Sequence, residues 1–183
     1  MSNIEIVPAK AEHIPQIARI TLESWRVAYK GIVADEYLAS LRVSRWIDPL
    51  NRDLKAKTMS VMMAVLNGEV IGISGYGRSR HDSFPNDGEI VSMYFLPAYI
   101  GKGYGHILMQ RVLFELSNLG YNSAVLTTLA ANKRARSFYS SWGFEEAEAG
   151  LIHLDLDGID YECLLMRKAN LINAEQGEQI HWF

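Results

Sequence analysis

The chain has 183 residues, 49% of them apolar and 21% charged, with a formal net charge of −3. That is the size of one ordinary domain with a substantial core, and the charge argues against a general basic footprint for nucleic acid. The single cysteine, Cys163, excludes an internal disulfide, suits a reducing cytoplasmic setting, and sits in an apolar run that marks it as buried packing.

Residues 1–10 contain no apolar core of signal-peptide length, and no run approaches 18 uninterrupted apolar residues, so no membrane partner is expected. Residues 4–7 predict a short strand stopped by Pro8. Residues 11–29 carry Ile14, Ile17, Ala18, Leu22 and Trp25 at the spacing of one helix face. A second helix is predicted over residues 34–50. Residues 59–66 and 69–77 flank Asn67-Gly68, which favours a type I′ turn and so a hairpin. Residues 78–87 are polar and contain Pro85, hence a loop. Residues 89–96 predict a strand, and 103–119 a helix closed by Gly120. Residues 124–128 predict a buried strand. Residues 132–142 predict a short helix opened by Asn132, a favoured N-cap. Residues 143–153 and 159–167 predict two strands around Asp157-Gly158. No repeat or linker appears, so one domain is expected over 1–183, with a core at about 4–168 and a tail at 169–183. The order points to an α+β fold, a mixed α/β sandwich with helices on both sheet faces.

Chemistry concentrates at Ile100-Gly101-Lys102-Gly103-Tyr104-Gly105-His106. Three alternate glycines precede a helix, whose first N–H groups lack partners and whose dipole is positive at that end. Glycines let an anion approach those donors, and Lys102 adds a full charge. The other reading of the loop is a steric turn, for which one glycine would suffice. A Walker A loop would end in Gly-Lys-Ser/Thr, and this chain has Gly105-His106-Ile107. A dinucleotide fingerprint would be G-x-G-x-x-G near the first strand, and here it is G-x-G-x-G after the fourth.

A second pattern joins the first. Residues 126–144 hold Asn132, Ala135, Phe138, Tyr139, Gly143 and Phe144. With FLPAYIGKGYG, they resemble the GCN5-related N-acetyltransferase (GNAT) superfamily, whose motifs run aromatic-Val-x-Pro-x-(Tyr/Phe)-(Arg/Gln)-Gly-x-Gly-x-Gly/Ala and N-x-x-A-x-x-F-Y-x-x-x-G-F. The resemblance covers about residues 4–168. One departure is Ile100, where the family usually has Arg or Gln. Lys102 or His106 would supply the compensating charge.

The resemblance implies a six- to seven-stranded mixed sheet and acetyl-CoA as co-substrate. It implies that the fourth and fifth strands splay and receive the pantetheine arm. Backbone groups of Met93, Tyr94 and Phe95 would meet that arm and the acetyl carbonyl. Gly101 to His106 would hold the pyrophosphate, and Asn132 would contact the cofactor. The reaction implied is direct acetyl transfer to a primary amine of a small molecule or peptide. The alternative from another class is a non-catalytic acyl-CoA sensor.

Such transfer needs a neutral amine, an oxyanion donor and an acid for the departing thiolate. Tyr139 matches the family's tyrosine and is the candidate acid; its other reading is an aromatic anchor. Glu89 is the candidate base, with strand alternation placing it beside Val91, Met93 and Phe95; its other reading is an exposed glutamate at a strand start. Trp25 and Tyr29 fall where the family walls its acceptor site, with packing as the alternative. Residues 145–160 hold six acidic residues and no Lys or Arg, an acidic rim suited to a polyamine-like cation or else plain solvated surface. No His/Cys cluster of metal-binding spacing appears, so no metal is expected. The family often dimerises, and the aromatic end His181-Trp182-Phe183 is a candidate homodimer contact.

Overall fold

A computed structural model describes residues 4–171, except for the side chains of Ala149 and Gly150. His181–Phe183, expected in a dimer contact, and most of the tail lie outside the described residues. Seven strands form one sheet in the order β1-β2-β3-β4-β5-β7-β6. They are β1 (Ile4–Pro8), β2 (Met59–Leu66), β3 (Glu69–Arg78), β4 (Gly88–Phe95), β5 (Ser123–Leu129), β6 (Glu145–Leu156) and β7 (Ile159–Ala169). The helices are α1 (Ile14–Ala28), α2 (Asp35–Ser40), α3 (Ser44–Ala56), α4 (Tyr104–Asn118) and α5 (Lys133–Ser141). Both predicted tight turns form. Asn67 and Gly68 have φ of 51° and 85°, and Asp157 and Gly158 have 59° and 80°, the signs a type I′ turn requires.

The predicted helix over 34–50 is instead two helices, α2 and α3. Leu41 is extended, with ψ of 138°. The reason is a tertiary bond: Arg26 Nη2 donates to Leu41 O at 3.0 Å, serving a carbonyl that a continuing helix would have used. Likewise residues 11–13 form a 3-10 turn before α1 starts at Ile14 with Pro15 in its first turn.

Helices cover both faces. Leu108, Met109, Val112 and Leu116 of α4 pack on Met62, Ile90, Leu126 and Met166. On the opposite face, Ile14, Ile17 and Ala18 of α1 meet Val61, Met63 and Ile73. Cys163 is 3% exposed and its thiol is pushed up by burial, so the sequence reading of it as packing agrees with the structure.

Two features of β4 create the site. Every neighbouring pair is antiparallel except β4 and β5, which are parallel and match only at Gly88–Ala124 and Glu89–Val125. Beyond those two pairs the strands part. β4 also carries a bulge: Gly75 faces Ser92 and Tyr76 faces Ile90, so Val91 is an extra residue. An extra residue reverses which side chains share a face. Ile90 before it and Met93 and Phe95 after it all join the α4 side, whereas Tyr94 packs towards α1. Glu89 therefore shares a face with Tyr94. The expected grouping of Glu89 with Met93 and Phe95 is corrected by this bulge.

Candidate active site

The opening between β4 and β5 is one cavity of about 710 Å³. It runs from the glycine loop, along β4 residues 90–95, to Ser24, Tyr29 and Ile32 at the end of α1, with Tyr139 and Phe138 of α5 on its far side.

At one end, Gly101 and Gly103 have φ of 82° and 88°, a left-handed conformation natural only to glycine. Gly103 is the N-cap of α4. Among the described residues, the amides of residues 101–105 donate to no backbone carbonyl, whereas His106 N already donates to Gly103 O. The loop is thus a set of open donors at a helix start. A Cβ on Gly105 would meet the Phe138 ring at 3.4 Å and the Phe95 ring at 3.9 Å, so glycine lets the start of α4 sit close against these rings.

The side chains expected to replace the missing Arg or Gln at Ile100 are spent elsewhere. Lys102 is exposed, does not line the cavity, and holds its ammonium 5.5 Å from the Tyr99 ring centre. His106 lines the cavity, but its Nδ1 accepts from Trp142 Nε1 at 3.0 Å. The structure brings in Arg134, which sequence reasoning missed. Its Nη2 would lie 3.3 Å from a Cβ on Gly101, and both Lys133 and Arg134 line the cavity. The available signal was its place in the first turn of α5, two residues after the N-cap, which sends it towards the loop.

Asn132 opens α5 as predicted. Its Oδ1 accepts from Ala135 N at 3.1 Å, which leaves its amide hydrogens for the cavity it lines. Asn132→Ala is expected to cost about 1 kcal/mol, read as a fall of about 2–4 °C in Tm.

Along β4, Leu96 N donates to Ile71 O. Antiparallel alternation then gives Tyr94 and Ser92 backbone groups to β3 as well, and turns those of Met93 and Phe95 into the gap. Phe95 O there accepts from Ser24 Oγ at 2.5 Å. Tyr94, whose backbone was expected to meet the pantetheine arm, lines the cavity. Its hydroxyl accepts from Trp25 Nε1 at 3.0 Å. Tyr29 lines the cavity, while Trp25 stands behind it at 4.8 Å between ring centres.

Tyr29, Tyr94 and Tyr139 all line the cavity, and the Tyr94 phenol interacts with those of both Tyr29 and Tyr139. Burial raises the pKa of all three, and mutual proximity adds to the rise for Tyr29 and Tyr139. They are therefore protonated donors through the neutral range. Glu89 does not line the cavity. It is 1% exposed and clamped by Arg80: Oε2 accepts from Arg80 N at 2.9 Å and Nε at 3.0 Å, and Oε1 from Nη2 at 2.7 Å. Among the described residues, no group of three His, Cys, Asp or Glu converges as a metal would need.

Comparison with known proteins matches this geometry. The sequence model of the Acetyltransferase (GNAT) family matches residues 17–144. The chain belongs to the GNAT family. Among its relatives, the uncharacterized N-acetyltransferase YuaI of Bacillus subtilis is 26% identical over 131 residues, 70% of this chain and 73% of that protein. The spermidine N(1)-acetyltransferase of Thermoplasma acidophilum is 24% identical over 166 residues, 87% of this chain and 94% of that one. In fold, the chain resembles the PaiA N-acetyltransferase of Thermoplasma acidophilum solved with coenzyme A, at a TM-score of 0.71 and 22% identity, covering 91% of this chain and 99% of that one. YncA of Salmonella typhimurium, solved with acetyl-CoA, gives 0.68 at 20% identity, covering 92% and 94%.

This GNAT protein is an acetyl-CoA-dependent N-acetyltransferase with acetyl-CoA as co-substrate. The residues fit that co-substrate: open loop amides and two cations at one end of the cavity, and the backbone of β4 beyond the point where it leaves β5.

Proposed function

We propose that this GNAT enzyme transfers acetyl from acetyl-CoA directly to the primary amine of a small molecule with an apolar or aromatic remainder. The observation that carries the reading is the continuity and lining of one cavity. The acetyl arm would lie along Met93 and Phe95, with pyrophosphate at residues 101–105 and Arg134. The acceptor would enter past α1, among Val27, Ala28, Tyr29 and Ile32. Met93 or Phe95 N–H would serve the developing oxyanion. Tyr139 would protonate the thiolate, and Glu89, which does not line the cavity, would act on the amine's proton only through other residues.

The polyamine reading draws on the spermidine-acetylating relative and on the acidic run at 145–160. Its six acidic residues are exposed, with Glu146 paired to Arg136 and Asp160 to His153. Among the described residues lining the cavity, none is acidic. A polycation would find no counter-charge inside, and the first reading is favoured.

Thiol release measured across arylalkylamines, alkylamines, amino acids and spermidine tests the choice. An arylalkylamine should give the higher kcat/KM; spermidine as the best substrate would reverse the assignment. In the same assay, Trp25→Phe removes the donor that orients the Tyr94 hydroxyl. Losing about 1 kcal/mol should raise the acceptor KM about fivefold, with the acetyl-CoA KM unchanged.

A further inference from the structure

The only connection from Glu89 to the cavity among the described contacts passes through another residue. His81 lies on the loop between β3 and β4, which is pinned by its own hydrogen bonds. His81 N donates to Ser79 Oγ at 3.2 Å, and Phe84 N donates to His81 O at 2.9 Å. His81 Nε2 lies 3.1 Å from Thr127 Oγ1 and 3.6 Å from Glu89 Oε1. Thr127 lines the cavity. It stands two residues beyond Val125, which pairs with Glu89, and so projects on the same face at the point where the strands part.

Both Glu89 oxygens are held by Arg80, which makes the carboxylate a fixed charge and a poor first stop for a proton. The imidazole is different. Its charged neighbours are Glu89 on β4 and the adjoining loop residues Arg80 and Asp82, of which Arg80 is bound to Glu89; β5 contributes only the uncharged Thr127. Its side chain is 20% exposed, enough to return a proton to solvent.

We propose that His81 is the terminal acceptor of the substrate amine's proton, reached from the cavity through the Thr127 hydroxyl and backed by the fixed charge of Glu89. The proposal rests on amine acetylation in this cavity. An alkylammonium of pKa about 10 must lose one proton before attack. That proton passes to Thr127 Oγ1 as the Thr127 hydrogen passes to His81 Nε2. The nitrogen keeps its electron pair and bonds to the thioester carbon. The C–S bond breaks, sulfur takes a proton from Tyr139, and the second proton of the acetylated nitrogen restores the Tyr139 hydroxyl. His81, now imidazolium beside Glu89, releases its proton to water. His81 and Thr127 are thus relay residues, and Glu89 positions and stabilises the relay.

Two measurements on the full chain test this. The first is the pH dependence of kcat/KM. The wild type should lose activity on the acid side, where a relay imidazole that is already protonated can accept nothing. In His81→Gln the limb should vanish and kcat should fall about 100-fold, with acetyl-CoA affinity unchanged. A wild-type limb retained in His81→Gln overturns the proposal. The second is the His81 tautomer by 15N NMR, which needs no turnover. A bare Nε2 with hydrogen on Nδ1 supports the relay; hydrogen fixed on Nε2 contradicts it, since that nitrogen could not accept from Thr127. A wild type that binds acetyl-CoA yet acetylates no amine counts against the proposed function, and the tautomer then decides the relay on its own.

Discussion

Tyr139→Phe is expected to lower kcat by about 100- to 1,000-fold and leave the Kd for coenzyme A unchanged. The thiolate leaving group has an ordinary pKa of about 8.5 and departs readily only if it is protonated or neutralised. Tyr139 lines the cavity, and burial together with the Tyr94 phenol raises its pKa. It is therefore a donor at every working pH, and its loss of a proton to solvent should produce no falling limb in the rate below about pH 10. The ring packs edge-on against Phe138 and Phe144, so phenylalanine preserves the packing and removes only the proton. Steady-state kinetics beside isothermal titration with coenzyme A separates the two effects. An unchanged kcat would reduce Tyr139 to an aromatic anchor.

Arg134→Ala is expected to weaken coenzyme A by about 10- to 100-fold, the worth of one or two hydrogen bonds to a charged phosphate. Lys102→Ala should change it about threefold at most, as for a surface charge. The difference follows from where the two cations sit. Arg134 reaches the loop at Gly101, and Lys102 turns away over Tyr99. Arg134→Lys should recover part of the affinity, since the charge remains and the planar fork is lost. Titration at two salt concentrations checks the electrostatic origin, because both losses should shrink with added salt. A larger loss for Lys102 than for Arg134 would return the compensating role to the loop itself.

Local signals in the sequence carried the elements that local physics determines. Asn67-Gly68 and Asp157-Gly158 demand positive φ and turn as read. Gly101 and Gly103 need the same freedom and take it, and Asn132 caps its helix by its own side chain. What stayed hidden depends on partners distant in the chain. Arg26 ends α2 from another helix. The bulge at Val91 inserts one residue into β4 against β3, and nothing in EIVSMYF itself marks it. That single residue moved Glu89 to the face of His81 and Thr127 and away from Met93 and Phe95. Arg134 occupies a motif position that varies, so the pattern of fixed letters passed over it. Trp25 was read as a wall of the acceptor site, and its role in the structure is to hold Tyr94 through a bond spanning 69 residues.

Direct transfer requires both substrates in the cavity at once. Cys163, the chain's one thiol, is buried and does not line that cavity, which leaves no thiol there to carry the acetyl group. The decisive measurement is the initial velocity of thiol release with acetyl-CoA and an arylalkylamine both varied. Double-reciprocal lines that intersect, with N-acetyl amine formed in step with free thiol, are the predicted result. Parallel lines, the mark of an acetyl-enzyme formed before the amine binds, would contradict it.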